Sequence, residues 1–322
     1  MGDRTRLVAD VGGTNTRLAV YDPEHDEFRH VARFTNSEYA SLAAVIDSWR
    51  GALNEALPTT ACLAIAAPPG NDVVTMFNIG WSFSCRDLAT QFGFARLHCI
   101  NDFQANAYAL PHLDATEVQP LYAGGSPANS CLATVGPGTG LGGATLRRLG
   151  EHTVAVAAEP GHMSLSPASS LELDIFRHLL RGHSNIYAEL LVSGAGLARL
   201  YQAICELAGD APQQLTPAEV SARALDGSDK HCLQALQVFC ALLGSVCGDF
   251  LLANGCYGGL YLAGGIVPQL GSFLQDSDFL HRLQDKGAMA GQLRETPVYV
   301  VVTDHPGLKG AAHAPAQLNR GM

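Results

Sequence analysis

Residues 8–20, "VADVGGTNTRLAV", place two apolar runs on either side of a turn built on Gly12 and Gly13. An apolar run, a glycine turn and a second apolar run predict two strands joined as a hairpin. Glycine permits positive φ in such a turn, and successive backbone N–H groups can then line a concavity that holds an anion without a side-chain cation. Gly12, Gly13, Thr14 and Asn15 are therefore candidate phosphate-binding residues. Asp10, at the end of the first run, is placed to hold Mg²⁺ through water, since that ion keeps several waters and takes few carboxylates. A tight hairpin with an ordinary acidic residue accounts for the same letters.

The pattern recurs in residues 131–146, "CLATVGPGTGLGGATL". Residues 138–143 satisfy G-x-G-x-x-G after a strand, as a dinucleotide fingerprint does. That fingerprint requires its third glycine to open a helix, whereas "GATLRRLG" (143–150) is a β-type run, which excludes a nicotinamide or flavin site. A P-loop is excluded as well, because Lys230, Lys286 and Lys309 are the only lysines and none lies in G-K-[ST]. Two strand–turn–strand units predict two halves of similar construction, closing on one nucleotide phosphate chain. Gly138, Thr139 and Gly140 belong to the second turn. A third glycine pair, Gly264-Gly265 in "LYLAGGIVP" (260–268), would let backbone approach a flat ligand such as adenine; a structural strand-to-helix turn explains it equally well.

The chain has 322 residues, 47% of them hydrophobic, enough for two domains with sizeable cores. A net charge of −10 without clustered Lys/Arg argues against nucleic acid or an anionic membrane as partner. The N-terminal residues offer no apolar stretch long enough for a signal peptide, so a cytoplasmic location is expected. The apolar region 243–267 is broken by Asp249, Asn254 and many glycines, and reads as a buried helix followed by a buried strand. Nine cysteines without a C-x-x-C pair read as reduced core thiols, and the twelve histidines show no metal-ligand spacing. Apolar spacings of three and four predict packing helices over 39–57 and over 233–250, the latter stopped by Asn254-Gly255. Strands alternating with such helices make an α/β protein.

Two further clusters place polar side chains at turns and element boundaries. In "RLHCINDFQANAYAL" (96–110), Asn101 and Asp102 stand where a strand gives way to a helix, a spacing that by itself favours a helix N-cap. In "AAEPGHMSL" (157–165), Glu159 and His162 flank a Pro-Gly turn; they suit neighbouring hydroxyls, or simply a solvated surface turn.

Seven ordered segments, "DVGGTNTRLAV", "INDFQANAYAL", "GPGTGLGGATL", "EPGHMSL", "AELLVSGAGL", "LAGGIVPQL" and "TDHPGLKGAA", together resemble bacterial glucokinases of the ATP-dependent hexokinase type. The resemblance runs from about residue 6 to 312. It implies the ribonuclease-H-like fold of the sugar kinase, actin and heat-shock chaperone superfamily: an actin-like ATPase architecture with a cleft between a small domain (1–111 plus 303–322) and a large one (112–302). It also implies ATP, Mg²⁺ and glucose, with Asp102 as catalytic base and Asn101, Glu159, His162 and Glu189 on sugar hydroxyls. Asn78, before Trp81 in "MFNIGWSF", becomes a further sugar candidate by the same route. Similar proteins have Glu-Gly-Gly-His where this chain has Glu159-Pro160-Gly161-His162, so any contact made through the second residue's N–H is lost. A homodimer is expected. The rival readings are a kinase for fructose or mannose, a sugar-responsive regulator, and an actin-like assembly ATPase.

Overall fold

The computed structural model describes residues 5–67, 72–76, 78–125 and 130–315. Its strands are β1 (Arg6–Val11), β2 (Asn15–Asp22), β3 (Glu27–Thr35), β4 (Thr60–Ile65), β5 (Val73–Met76), β6 (Trp81–Ser84) and β7 (Arg96–Asn101). They continue with β8 (Val118–Tyr122), β9 (Leu132–Pro137), β10 (Leu141–Leu149), β11 (His152–Ala158), β12 (Gly259–Leu262) and β13 (Val298–Val301). One sheet has the order β3-β2-β1-β4-β7; another has β11-β10-β9-β12-β13, extended by β8 at its far edge, and β5 pairs with β6 alone. In each large sheet a hairpin of antiparallel strands (β1/β2 and β9/β10) is followed by parallel neighbours, β4 and β7 in one, β12 and β13 in the other. This order and polarity is that of a ribonuclease-H-like fold, present twice. The repeated strand–turn–strand in the sequence is the first hairpin of each copy.

Contacts group the chain into two units, one taking the described residues within 1–113, 153–157 and 303–322, the other 114–152 and 158–302. The first unit packs Leu7, Ala9, Val11 and Leu63 of its sheet against the helix Leu42–Gly51 through Leu42, Val45, Ile46 and Trp49. That helix is shorter than the 39–57 periodicity predicts. Ser41 caps it by accepting from the Ala44 N–H at 3.2 Å, which leaves Tyr39 extended before the cap. Leu53 and Leu57 pack on the same core from beyond the helix end, so apolar spacing outlasts the helix. The helix Pro306–His313 lies on the same unit, and Gly310 brings it so close to the helix Asp102–Ala109 that a Cβ would overlap the Ala105 carbonyl group.

The second unit is organised by the helix Lys230–Asn254, which ends at Gly255 in the left-handed conformation (φ 60°), as Asn254-Gly255 predicts. It is long and apolar enough to cross a membrane, but 83% of its most apolar window is buried inside the protein. Phe239 and Phe250 on it are 0% and 2% exposed, each burial being worth roughly 1.5–3 kcal/mol.

The expectation of nine reduced thiols fails at one pair. Cys131 and Cys256 are joined by a disulfide with Cα atoms 4.6 Å apart. They are 125 residues apart in sequence, and the parallel pairing of β9 with β12 brings their segments together, which no local spacing reveals.

Candidate active site

The first turn joins β1 to β2. Its N–H and carbonyl groups are partly committed: Gly12 N–H donates to Asn15 O at 3.0 Å. A residue that the sequence does not mark holds the turn from behind. Asn36, 2% exposed, donates through Nδ2 to Gly12 O at 2.8 Å and through its backbone N–H to Thr14 O at 2.9 Å. Its Oδ1 accepts from the Thr16 hydroxyl at 2.8 Å. Satisfying these carbonyls from one side fixes the turn's shape while the Thr14 side chain stays exposed.

Neither Gly12 nor Gly13 has positive φ, and the same holds for Gly138 and Gly140, which corrects the reason expected for glycine here. Space requires glycine at Gly140 instead, where a Cβ would fall 2.4 Å from a Glu189 carboxylate oxygen; one on Gly13 would make ordinary contact with Asn78 at 3.7 Å, and one on Gly138 would meet nothing within 4 Å.

Asp10 lies beside this turn with its carboxylate 3.7 Å from Arg17 Nη1 and its side chain 20% exposed. Burial pushes its carboxyl above the usual carboxylate range, and Arg17 and His305 pull it partly back. Gly307, in the first turn of the helix Pro306–His313, is needed for this packing, since a Cβ there would stand 2.6 Å from Asp10 Cγ. A carboxylate desolvated to this degree next to a single guanidinium is chemically suited to a further cation.

Across the parallel strands, Val11 pairs with Ile65 and Ile65 with Asn101. Asn101 therefore ends its strand two strands, about 10 Å, from the first turn and at the same sheet end. Asn101 is the N-cap of the helix Asp102–Ala109: its Oδ1 accepts from Phe103 N–H at 2.9 Å and Gln104 N–H at 3.1 Å. Its Nδ2 donates to Ala67 O at 3.3 Å. The cap that spacing favours is thus supplied by Asn101, and Asp102 is the first residue of the helix, with Oδ1 2.9 Å from Phe103 N–H. Carboxyl ends of parallel strands are where α/β sheets present ligand-binding side chains.

In the second unit the β9–β10 turn is closed by Gly138 N–H donating to Gly140 O at 2.8 Å. The run after Gly143 is strand β10, so the dinucleotide fingerprint is excluded by structure as by sequence. Two neighbours from one segment brace this turn. Glu189 Oε2 accepts from Leu141 N–H at 2.9 Å, and Gly194 N–H donates to Gly138 O at 2.8 Å. Glu189 lies in the short helix Ala188–Leu191, with at least one oxygen committed to backbone.

The same segment carries the Glu159–His162 turn. Ala188 N–H donates to Met163 O at 2.8 Å, Ser164 bridges Tyr187, and the His162 and Tyr187 rings lie 5.9 Å apart. Gly161 lets Glu189 approach, since its Cβ would be 3.2 Å from the carboxylate. Glu159 and His162 are exposed. Pro160, buried, lies over Gly143, where a Cβ would meet its ring at 2.8 Å; the proline that removes a donor thereby fills space against the second turn. Gly264 adopts φ 83° and lies so near β9 that a Cβ would stand 2.5 Å from Pro137 O, whereas Gly265 faces open space.

The structure thus gathers Asp10, Gly12, Gly13, Thr14, Asn15 and Asn78, with Asn101 and Asp102 at the same sheet end, in one unit. It gathers Gly138, Thr139, Gly140, Glu159, His162, Glu189, Gly264 and Gly265 in the other.

A glucokinase family model matches residues 7–318. The glucokinase of Aromatoleum aromaticum is 40% identical over 313 residues, 96% of this chain and 94% of that protein. That of Chromobacterium violaceum is 38% identical over 307 residues, 95% of this chain and 88% of its own. Among solved structures, a glucokinase from an Antarctic psychrotroph is 36% identical and superposes with a TM-score of 0.86, over 96% of this chain and 98% of its own. With the turns, the carboxylates and likeness over nearly its whole length in place, the chain belongs to the glucokinase family.

Proposed function

We propose that this chain transfers the γ-phosphoryl group of ATP to the 6-hydroxyl of D-glucose, giving glucose 6-phosphate and ADP, with Asp102 as general base. The Asn101-Asp102 pair at the C-terminal end of β7, in a chain matched by a glucokinase model over residues 7–318, carries this reading. Asp102 accepts the hydroxyl proton as the oxygen–phosphorus bond forms. Asn101 fixes the start of the helix through Oδ1 and offers Nδ2 to a sugar oxygen. Asn78, Glu159, His162 and Glu189 hold the other hydroxyls, whose donor and acceptor capacity they match.

Backbone and side-chain donors of Gly12, Gly13, Thr14 and Asn15, and of Gly138, Thr139 and Gly140, stabilise charge on phosphate oxygens. The space left by Gly138 and Gly265, where a Cβ would meet nothing within 4 Å, suits close approach of phosphate and adenine. Asp10 would hold Mg²⁺ through water, and that ion would neutralise charge on the transferring phosphoryl group. Residues 1–111 with 303–322 act in this reading as a small domain and 112–302 as a large one, in a cytoplasmic homodimer.

A coupled assay of sugar-dependent ADP release tests the reading across glucose, fructose and mannose, with ATP, ADP and polyphosphate as donors. Glucose with ATP is expected to give the highest kcat/KM, by about 10- to 100-fold over the other hexoses. Equal turnover of fructose or mannose overturns the sugar assignment. Absence of sugar-dependent release overturns the kinase.

A further inference from the structure

Cys85 and Cys99 bring their sulfur atoms to 2.7 Å. Cys85 opens the helix Cys85–Phe92, whose N-cap Ser84 accepts from Asp87 N–H at 3.1 Å, and Cys99 lies on β7 two residues before Asn101. Both are half-buried, so a small solute reaches them. The other free cysteines among the described residues, Cys62, Cys205, Cys232, Cys240 and Cys247, are buried.

We infer that Cys85 and Cys99 form a dithiol that hydroperoxides oxidise reversibly to a disulfide. Contact between two accessible sulfurs is the geometry that a resolving thiol needs. The electrostatics agree. The Cys99 thiol beside it holds Cys85 below the ordinary thiol value, against opposing contributions from burial and Asp72, and the same contact raises Cys99. Burial pushes each of the five other free thiols up instead. Cys85, the first residue of its helix, faces the helix N-terminal N–H groups that stabilise a thiolate, and is the attacking thiol, with Cys99 the resolving one.

The Cys85 thiolate attacks one oxygen of hydrogen peroxide; the S–O bond forms, the O–O bond breaks, and the departing hydroxide takes a proton to become water. Cys99 sulfur then attacks the Cys85 sulfenic acid; the S–S bond forms, the S–O bond breaks, and a second water leaves with the Cys99 proton. Two thiols lose two electrons in total, and one peroxide becomes two waters. A dithiol reductant reverses the step.

The consequence for catalysis rests on the proposed role of Asp102. Cys99 and Asn101 alternate with their neighbours on one strand and so share a face of β7. A covalent tie from Cys99 to the adjacent helix shifts the strand end that presents Asn101 and Asp102, and sub-ångström shifts at a reacting group lower turnover.

The test treats the purified full chain with hydrogen peroxide, blocks free thiols with one alkylating reagent, reduces, and labels released thiols with a second. Peptide mass spectrometry is expected to show Cys85 and Cys99 protected together, as a cross-linked pair, and freed by dithiothreitol. Cys85→Ser and Cys99→Ser should each abolish the cross-link. Both sites still alkylated after peroxide, or Cys85 driven to sulfinic acid without linkage to Cys99, overturns the inference. Glucose phosphorylation should fall roughly three- to tenfold on oxidation and recover on reduction, in the parent but not in either variant. A cross-link without a change in rate refutes the coupling to Asp102 and leaves the dithiol standing; no ADP release before any treatment refutes the proposed function alone.

Discussion

The two glycine turns have the same construction and different supports. In the first, the carbonyls of Gly12 and Thr14 are held by Asn36, a neutral amide buried behind the turn. In the second, a carboxylate, Glu189, takes the Leu141 N–H, and the start of the helix Gly194–Leu207 takes the Gly138 carbonyl. A neutral brace can only shape its turn, whereas a charged brace beside the Glu159–His162 turn also places a carboxylate next to the proposed sugar-binding residues. The first turn is thus built to keep its form, and the second is linked through its support to the residues proposed to bind sugar.

Breaking the second support should have the largest effect. In Gly140→Ala the new Cβ lies 2.4 Å from Glu189 Oε2, so the carboxylate must turn away and release the Leu141 N–H, which should cost about 1–3 kcal/mol of stability. The displaced carboxylate should also lower kcat/KM for glucose by about 100-fold, measured by steady-state kinetics beside thermal unfolding. A loss of stability with glucose kinetics unchanged would show that Glu189 only shapes its turn, as Asn36 does. Breaking the first support comes next. Asn36→Ala removes two hydrogen bonds to the turn region and should cost about 2 kcal/mol in denaturant unfolding, raising KM for ATP more than KM for glucose.

A subtler change sharpens the comparison. Gly138→Ala meets no protein atom within 4 Å, so stability should hold within about 0.5 kcal/mol while KM for ATP rises about tenfold. An unchanged KM would show that the open space is not a nucleotide site.

The smallest effect concerns pH and lies away from both turns. The His112 and His313 rings stack with centroids 3.5 Å apart, and burial, then His112, lowers His313 from 6.5 to about 4. The unfolded chain takes up a proton below pH 6.5 that the folded chain refuses until about pH 4, so stability is lost as pH falls through that window. Urea unfolding at pH 7 and pH 5 should differ by about 1 kcal/mol from this source, and His313→Phe should flatten the difference.

The turns themselves were legible because glycine between apolar runs is a local signal. Their supports were not. Asn36 follows β3, an edge strand whose exposed Glu27, His30 and Arg33 hide its pairing with β2, and only that pairing places Asn36 behind Gly12. Glycine was read for its conformational freedom, yet at Gly140 it is needed for a neighbour distant in sequence, Glu189. At Asn101-Asp102 spacing indicated a cap but could not divide the pair into a capping residue and its neighbour. Cysteine partners 14 and 125 residues apart are set by sheet pairing and helix packing, and count and spacing carry no trace of them.

Asp102→Ala, with kcat and glucose affinity measured on the purified folded variant, tests the central claim most directly. A proton acceptor at that position predicts a fall in kcat of about 100-fold or more with glucose still bound. Turnover close to that of the parent chain would contradict it.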